Sequence, residues 1–205
     1  MTSIAYYDQH CDAFVANTAS VDMTELYTAF LSRLKPGAHI LDAGCGSGRD
    51  TCHFLKQGYH VTAIDGSVAM VRHASAFTGI NVRQLTFENL DYQAAFEGIW
   101  ACASLLHIPL SELPDVMARM SEALKNNGIW YLSFKYGAGE VSRDGRSFTN
   151  LTEESLGELV DALSGISLLS TWQTSDKRSD REDERWLNAL CKYSKTPVQT
   201  TWQPA

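Results

Sequence analysis

Residues 40–48 read ILDAGCGSG: apolar Ile40 and Leu41, then Asp42, then a loop with glycine at every second position. In an open α/β sheet such a loop stands at the carboxyl end of a strand. There glycine lets the backbone approach a ligand, and the following helix offers free N–H groups. The spacing is G-x-G-x-G, whereas a dinucleotide fingerprint wants its third glycine one place later, where this chain has Arg49. Asp42, two residues before Gly44, would repel a pyrophosphate but suits a ligand that presents an ammonium or a sulfonium. Asp65 follows 21 residues after Gly44, the separation at which a carboxylate accepts hydrogen bonds from ribose hydroxyls.

Outward from that loop, residues from about Gly37 to Phe134 alternate short apolar strands with amphipathic helices, the pattern of βαβ units and a parallel sheet. AHILDAG (38–44) predicts a first strand, RDTCHFLKQG (49–58) a helix stopped by Gly58, and YHVTAID (59–65) a second strand. Ser67 can cap a helix carrying Met70, Val71, Ala74 and Phe77 on one side, ahead of a third strand near NVRQLTF (81–87). After the loop ENLDYQAAF, GIWACAS (98–104) predicts a fourth strand. SELPDVMARMSEALKNNG (111–128) predicts a helix capped by Ser111, with an apolar stripe from Leu113 to Leu124 and a stop at Asn127-Gly128. IWYLSFK (129–135) predicts a fifth strand, TEESLGELVDALSG (152–165) a helix, and ISLLSTW and RWLNALCKY the two closing strands. Between those two lies TSDKRSDREDER, nine of its twelve residues charged with mixed sign, which predicts a solvated hairpin loop. The segment before Pro36-Gly37 reads as two helices.

The 205 residues suffice for one well-buried domain. A formal charge of −7, from 17 Lys+Arg against 24 Asp+Glu, weighs against a nucleic-acid partner, because phosphate neutralisation needs a basic surface. No window approaches the roughly 18 apolar residues that span a bilayer, and MTSIAYYDQH lacks the basic and apolar regions of a signal peptide, so a cytoplasmic protein with no membrane contact is expected. The five cysteines are scattered with no C-x-x-C pair, which predicts reduced, small apolar residues and no metal site.

S-adenosylmethionine carries an ammonium, a sulfonium and a ribose, and no phosphate, so it answers Asp42, the glycine loop and Asp65 together. ILDAGCGSGRDT, VTAIDGS, FEGIWACASLLHIP and LKNNGIWYLSFK resemble the successive motifs of class I S-adenosylmethionine-dependent methyltransferases, most closely the small bacterial ones of the tellurite-resistance and thiopurine type. The resemblance covers about residues 36–136. It implies a Rossmann-like α/β domain over 1–205, with a seven-stranded, mostly parallel sheet, helices on both faces and an antiparallel last strand. Within it, 1–35 would form a helical cap, 36–136 the cofactor-binding core, and 137–205 the substrate side.

By that resemblance Gly44 and Gly46 pass under the methionine and ribose of the cofactor, Asp42 reaches its amino group, and Asp65 binds the ribose hydroxyls. Gly66, Ser67 and Met70 line the adenine, Phe87 contacts it through its backbone, Glu88 stands beside it, and Ala101 faces the methionine. Many relatives carry an acid after the third strand; the matching position here is Thr86.

Methyl transfer is an in-line displacement at an activated sulfonium, so alignment and water exclusion come first and a base is optional. His107, just past the fourth strand, is the candidate base for an acceptor that must lose a proton. Tyr6 and Tyr7 sit on an N-terminal helix that in similar enzymes closes over the cofactor. FKYGAGEVSRDGRSF (134–148) predicts a mobile lid whose Arg146 and Lys135 draw in an anionic small-molecule acceptor, with Arg146 on the cofactor carboxylate as another possibility. A monomer or homodimer fits this picture. The alternatives are a catalytically silent S-adenosylmethionine-binding or interaction protein and an NAD-dependent oxidoreductase; a DNA amino-methylating enzyme would need an Asp/Asn-Pro-Pro-aromatic motif that ACASLLHIP lacks.

Overall fold

The computed structural model describes residues 2–178, 181 and 183–195. Three helices, α1 (Ser3–Gln9), α2 (Cys11–Thr18) and α3 (Thr24–Leu31), precede the sheet. The α/β core runs β1 (His39–Ala43), α4 (Arg49–Lys56), β2 (His60–Asp65), α5 (Val68–Thr78), β3 (Arg83–Gln84), β4 (Phe96–Ala101), α6 (Leu113–Ala123) and β5 (Leu124–Lys135). Short 3₁₀ turns lie at Phe87–Asn89 and Leu105–His107. A hairpin, β6 (Gly139–Arg143) and β7 (Arg146–Asn150), then leads to α7 (Glu153–Asp161), β8 (Ile166–Ser175) and β9 (Arg185–Tyr193).

The main sheet has seven strands in the order β3-β2-β1-β4-β5-β9-β8. All pairs from β3 to β5 are parallel, and β9 alone runs against both its neighbours. This is the Rossmann-like α/β sheet with an antiparallel last strand that the resemblance implies. Strand order reverses between β1 and β4, so the crevice for a ligand opens beside the carboxyl end of β1.

Alternation along β1 supplies both faces of the sheet. Ile40 packs with Tyr27 and Phe30 of α3, Phe54 of α4, Trp100 and Tyr131; Leu41 packs on the opposite side with the apolar stripe of α6 and with Leu156 and Val160 of α7. Among the described residues, no helix is long and apolar enough to cross a membrane, and no cluster of His, Cys, Asp or Glu is arranged to hold a metal ion.

Four local expectations are corrected. The N-terminal segment forms three helices instead of two, and the third strand shrinks to Arg83–Gln84 because the chain turns at Phe87–Asn89. The helix expected over 111–128 begins at Leu113 with no side-chain cap and ends at Ala123. Its last carbonyls, Glu122 and Ala123, accept from the N–H groups of Ala94 and Ala95 at 2.8 and 2.9 Å, so the chain leading into β4 takes the place of a further helical turn. Leu124 is then already extended and pairs with Phe96. Finally, the segment expected to be a loop forms a hairpin, β6 paired with β7. Asp144 (φ 51°) and Gly145 (φ 76°) form its two-residue turn with both φ positive, the handedness that matches strand twist. β6 is exposed throughout, but β7 buries Phe148 and Thr149, and Thr149 Oγ1 donates to Ile108 O at 2.7 Å.

Candidate active site

The glycine loop curls toward β2 because the N–H groups of Gly44 and Cys45 both donate to Ile64 O at 2.9 Å. Gly44 has φ 80°, and a Cβ there would stand 2.5 Å from Ser104 Cβ, so only glycine lets the loop pass the turn after β4. Asp65 ends β2 with both carboxylate oxygens held: Oδ2 accepts from Gly46 N–H and Oδ1 from Ser67 N–H, each at 2.9 Å. Burial raises its pKa against the pull of those N–H groups. Ser67 caps α5 by accepting from Met70 N–H, while its own hydroxyl donates to Asp8 Oδ1 at 2.6 Å. Asp8 also accepts from Ala69 N–H at 3.1 Å, so α1 is tied to the first turn of α5.

Where a third glycine would stand, Arg49 opens α4, and its neighbour Asp50 becomes the centre of a buried polar cluster. Asp50 Oδ1 accepts from Arg49 Nε (2.6 Å) and the Tyr27 hydroxyl (2.5 Å); Oδ2 accepts from Arg49 Nη2 (3.0 Å) and Trp100 Nε1 (2.8 Å). Burial opposes the charge of Asp50, but the Arg49 guanidinium and these hydrogen bonds hold it below the usual carboxylate range. Arg49 Nη1 reaches on to Thr18 O at 3.2 Å. Asp42 lies behind this cluster, accepting from Thr51 Oγ1 at 2.5 Å, and burial together with the Asp50 charge pushes its pKa up. Sequence reasoning passed over the cluster. Its one visible signal was Arg49 in the glycine position.

The opposite wall is built from the turn at 105–107, β5, β7 and α1. His107 Nδ1 lies 2.9 Å from Ser147 O, and since a carbonyl only accepts, Nδ1 carries the proton. Nε2 therefore accepts from the Tyr7 hydroxyl at 2.9 Å. Burial lowers His107 to about 4, with Arg146 and Lys135 adding to the effect against the Ser147 bond. Burial raises Tyr7, and Arg146 opposes that rise. The Arg146 guanidinium lies over the Tyr6 ring at 4.4 Å and near Phe148 at 5.2 Å, while Lys135 is ion-paired with Glu184.

Both walls face one cavity of about 420 Å³. Of the cofactor candidates, Gly44, Gly46, Asp65, Gly66, Met70, Phe87 and Glu88 line it; of the acceptor-side candidates, Tyr7, His107, Lys135 and Arg146 do. Asp42, Ser67, Ala101 and Tyr6 are not among the lining residues; the lining carboxylate nearest Asp42 in the chain is Asp50. The charged stretch after β8 is no mere solvated loop. Asp176 is buried, accepts from Arg178 Nε at 2.9 Å and Trp186 Nε1 at 3.0 Å, and with Lys177, Arg178 and Arg181 lines the same cavity; Ser179, Asp180 and Glu182 lie outside the described residues.

Residues 40–128 match the family model described as "Methyltransferase domain". The ubiquinone biosynthesis O-methyltransferase of Rickettsia akari (strain Hartford) is 28% identical over 116 residues, 54% of this chain and 44% of that protein. The trans-aconitate 2-methyltransferase of Deinococcus radiodurans is 31% identical over 100 residues, 46% of this chain and 37% of that protein. The chain thus spans less than half the length of these curated relatives. Among solved structures, the 1,6-didemethyltoxoflavin-N1-methyltransferase of Burkholderia thailandensis, with 1,6-didemethyltoxoflavin and S-adenosylhomocysteine bound, superposes with a TM-score of 0.74 at 24% identity, covering 94% of this chain and 85% of that one. That likeness is one of fold. Residues 40–128, from β1 into β5, are thus similar to a methyltransferase domain.

Proposed function

We propose that the protein binds S-adenosylmethionine along the glycine loop and transfers its methyl group to a small-molecule acceptor seated against the turn at 105–107, β5 and β7. The observation that carries this reading is the Asp65 carboxylate, pinned by Gly46 and Ser67 N–H groups on the wall of the cavity that His107 also lines. The donor set suits the cofactor. Asp65 would accept from the ribose hydroxyls, and Gly66, Met70, Phe87 and the exposed rim residue Glu88 would surround the adenine. Ser67 would act from behind by capping α5. Gly44, Gly46 and the Arg49–Asp50 pair border the methionine end, with Ala101 and Asp42 as buried support behind them. The names of the relatives, a ubiquinone biosynthesis O-methyltransferase and a trans-aconitate 2-methyltransferase, support a small acceptor.

S-adenosylmethionine supplies a methyl group already activated on sulfonium. The chain's own work is then to align the acceptor, exclude water and, for a protonated acceptor, remove a proton. The α1 cap, fastened through Asp8 and Tyr7, closes the wall against water. Nε2 of His107 is the proton acceptor on that wall, reached through the Tyr7 hydroxyl that donates to it. A soft acceptor of the kind that the tellurite-resistance and thiopurine resemblance implies would arrive ionised and need no such relay.

The test is calorimetry with S-adenosylmethionine, S-adenosylhomocysteine and NAD, followed by a mass-tagged methyl screen against small metabolites. Micromolar binding of the first two and transfer of the tag are expected. Heat with NAD and none with S-adenosylmethionine would overturn the reading.

A further inference from the structure

Among the described residues, most cations on the cavity wall have a carboxylate close by. Lys135 faces Glu184, Arg49 faces Asp50 at 2.6 Å and Arg178 faces Asp176 at 2.5 Å. Arg146 differs. Among the described residues its only carboxylate within ion-pair range is Asp144, 3.8 Å away and 59% exposed at the hairpin turn, whereas the Arg146 side chain is itself only 10% exposed. Its Nε is fully buried and has no hydrogen-bond partner. A buried guanidinium N–H without an acceptor is costly, and such a group is kept where a ligand supplies the acceptor.

Packing holds the group in place. The guanidinium lies 4.4 Å from the Tyr6 ring centroid and 5.2 Å from Phe148, and it also hydrogen-bonds the Tyr7 hydroxyl, so its neighbours hold it in place while Nε keeps no acceptor. The two-residue turn at Asp144-Gly145 and the pairing of β6 with β7 fix the backbone beneath it. Next to it, Leu106, Ile108, Phe148 and Trp186 make the cavity wall largely apolar. A second orphaned polar atom, Ser104 Oγ, is buried on the same cavity beside the glycine loop.

We propose that Arg146 is the anion-recognition group of the acceptor subsite, so that the acceptor is a small, mostly apolar molecule bearing a carboxylate or an equivalent oxyanion gripped by the caged guanidinium. The proposal rests on the methyl-transfer reading and names its substrate class. A guanidinium fixed in plane can present two parallel N–H groups to a carboxylate, which a neutral amide cannot match. Lys135, already neutralised by Glu184, contributes the rim of the site and not the grip.

The experiment titrates the protein, saturated with S-adenosylhomocysteine, with benzoate, 4-hydroxybenzoate and trans-cinnamate, each against its primary amide. At least one carboxylate is expected to bind about 10-fold or more tighter than its amide. Arg146→Gln should bring that pair to within about 2-fold while S-adenosylhomocysteine affinity stays unchanged. No preference for any carboxylate, or a preference that survives Arg146→Gln, overturns the proposal. Weaker S-adenosylhomocysteine binding in Arg146→Gln overturns it too, since Arg146 would then hold the cofactor carboxylate. Arg146→Lys, which keeps the charge and loses the fork, carries the test if Arg146→Gln fails to fold: a preference reduced severalfold supports the proposal and an unchanged one refutes it. Repeating the titrations without S-adenosylhomocysteine separates the two readings, because wild-type protein that ignores S-adenosylhomocysteine but still prefers the carboxylate loses the methyl-transfer reading alone.

Discussion

The Tyr7 hydroxyl and Nε2 of His107 stand 2.9 Å apart, although 100 residues separate them in the chain. The bond joins the helical cap to the turn after β4, and its direction is set on the far side of the ring, where Ser147 O takes the Nδ1 proton. Tyr7 and His107 therefore act as one unit. With a hydroxyl acceptor, His107→Ala should lower the maximal rate by about 10²-fold with S-adenosylhomocysteine affinity nearly intact. Tyr7→Phe should also slow the reaction, and the double variant should be no slower than the slower single one. Additive losses in kcat would show two independent roles and remove the relay.

The same ring predicts a pH dependence of stability. His107 titrates near 4 in the folded protein against 6.5 unfolded, so the stability its neutral form contributes is complete above pH 6.5 and lost as pH falls toward 4. Asp42 and Asp65, raised by burial, act with the opposite sign: their contributions are present at low pH and lost as pH rises. The difference between wild type and His107→Gln isolates the histidine. Urea midpoints at pH 7, 5.5 and 4.5 should converge as pH falls, and a constant gap would contradict a depressed His107.

Asp65 is held by two backbone N–H groups with its remaining lone pairs toward the cavity. Hydrogen bonds to a charged group contribute about 1.5–3 kcal/mol each, so Asp65→Ala should weaken S-adenosylhomocysteine binding by about 10-fold or more. Calorimetry that returns wild-type affinity for a folded Asp65→Ala protein would dismiss the ribose assignment.

The Asp50 cluster predicts a stability effect on the glycine-loop side of the cavity. Asp50→Ala leaves the Arg49 guanidinium and the Trp100 and Tyr27 donors without their acceptor and should cost about 3–5 kcal/mol. Tyr27→Phe removes one donor while three remain, and should cost about 1–2 kcal/mol. Guanidinium denaturation measures both. An Asp50→Ala variant as stable as wild type would mean that the cluster contributes nothing net.

Much of the sheet was legible because its signals are local. The apolar run before Gly44, the glycine spacing and the distance to Asp65 all reflect neighbours along the chain, and they placed the succession of strands and helices and the glycine turn after β1. Leu124 shows where such reading stops: it fits the apolar stripe of a helix and the start of a strand equally, and only its pairing with Phe96 across the sheet decides. Asp144-Gly145 is a hairpin signal, yet the exposed strand before it offers no buried face to announce a strand, and β7 is committed by its packing on the turn at 105–108. The charges were the least legible. Lys135 and Arg146 read alike as cations near a cavity, but Glu184, 49 residues away, neutralises one, while Tyr6, brought over by α1, cages the other. Hydrophobic period is written into nearest neighbours, so the sequence by itself determined most of the core elements and the glycine turn after β1. Which titratable groups are buried, paired or left to face the cavity is set by contacts between distant segments, and the tertiary structure alone decided it.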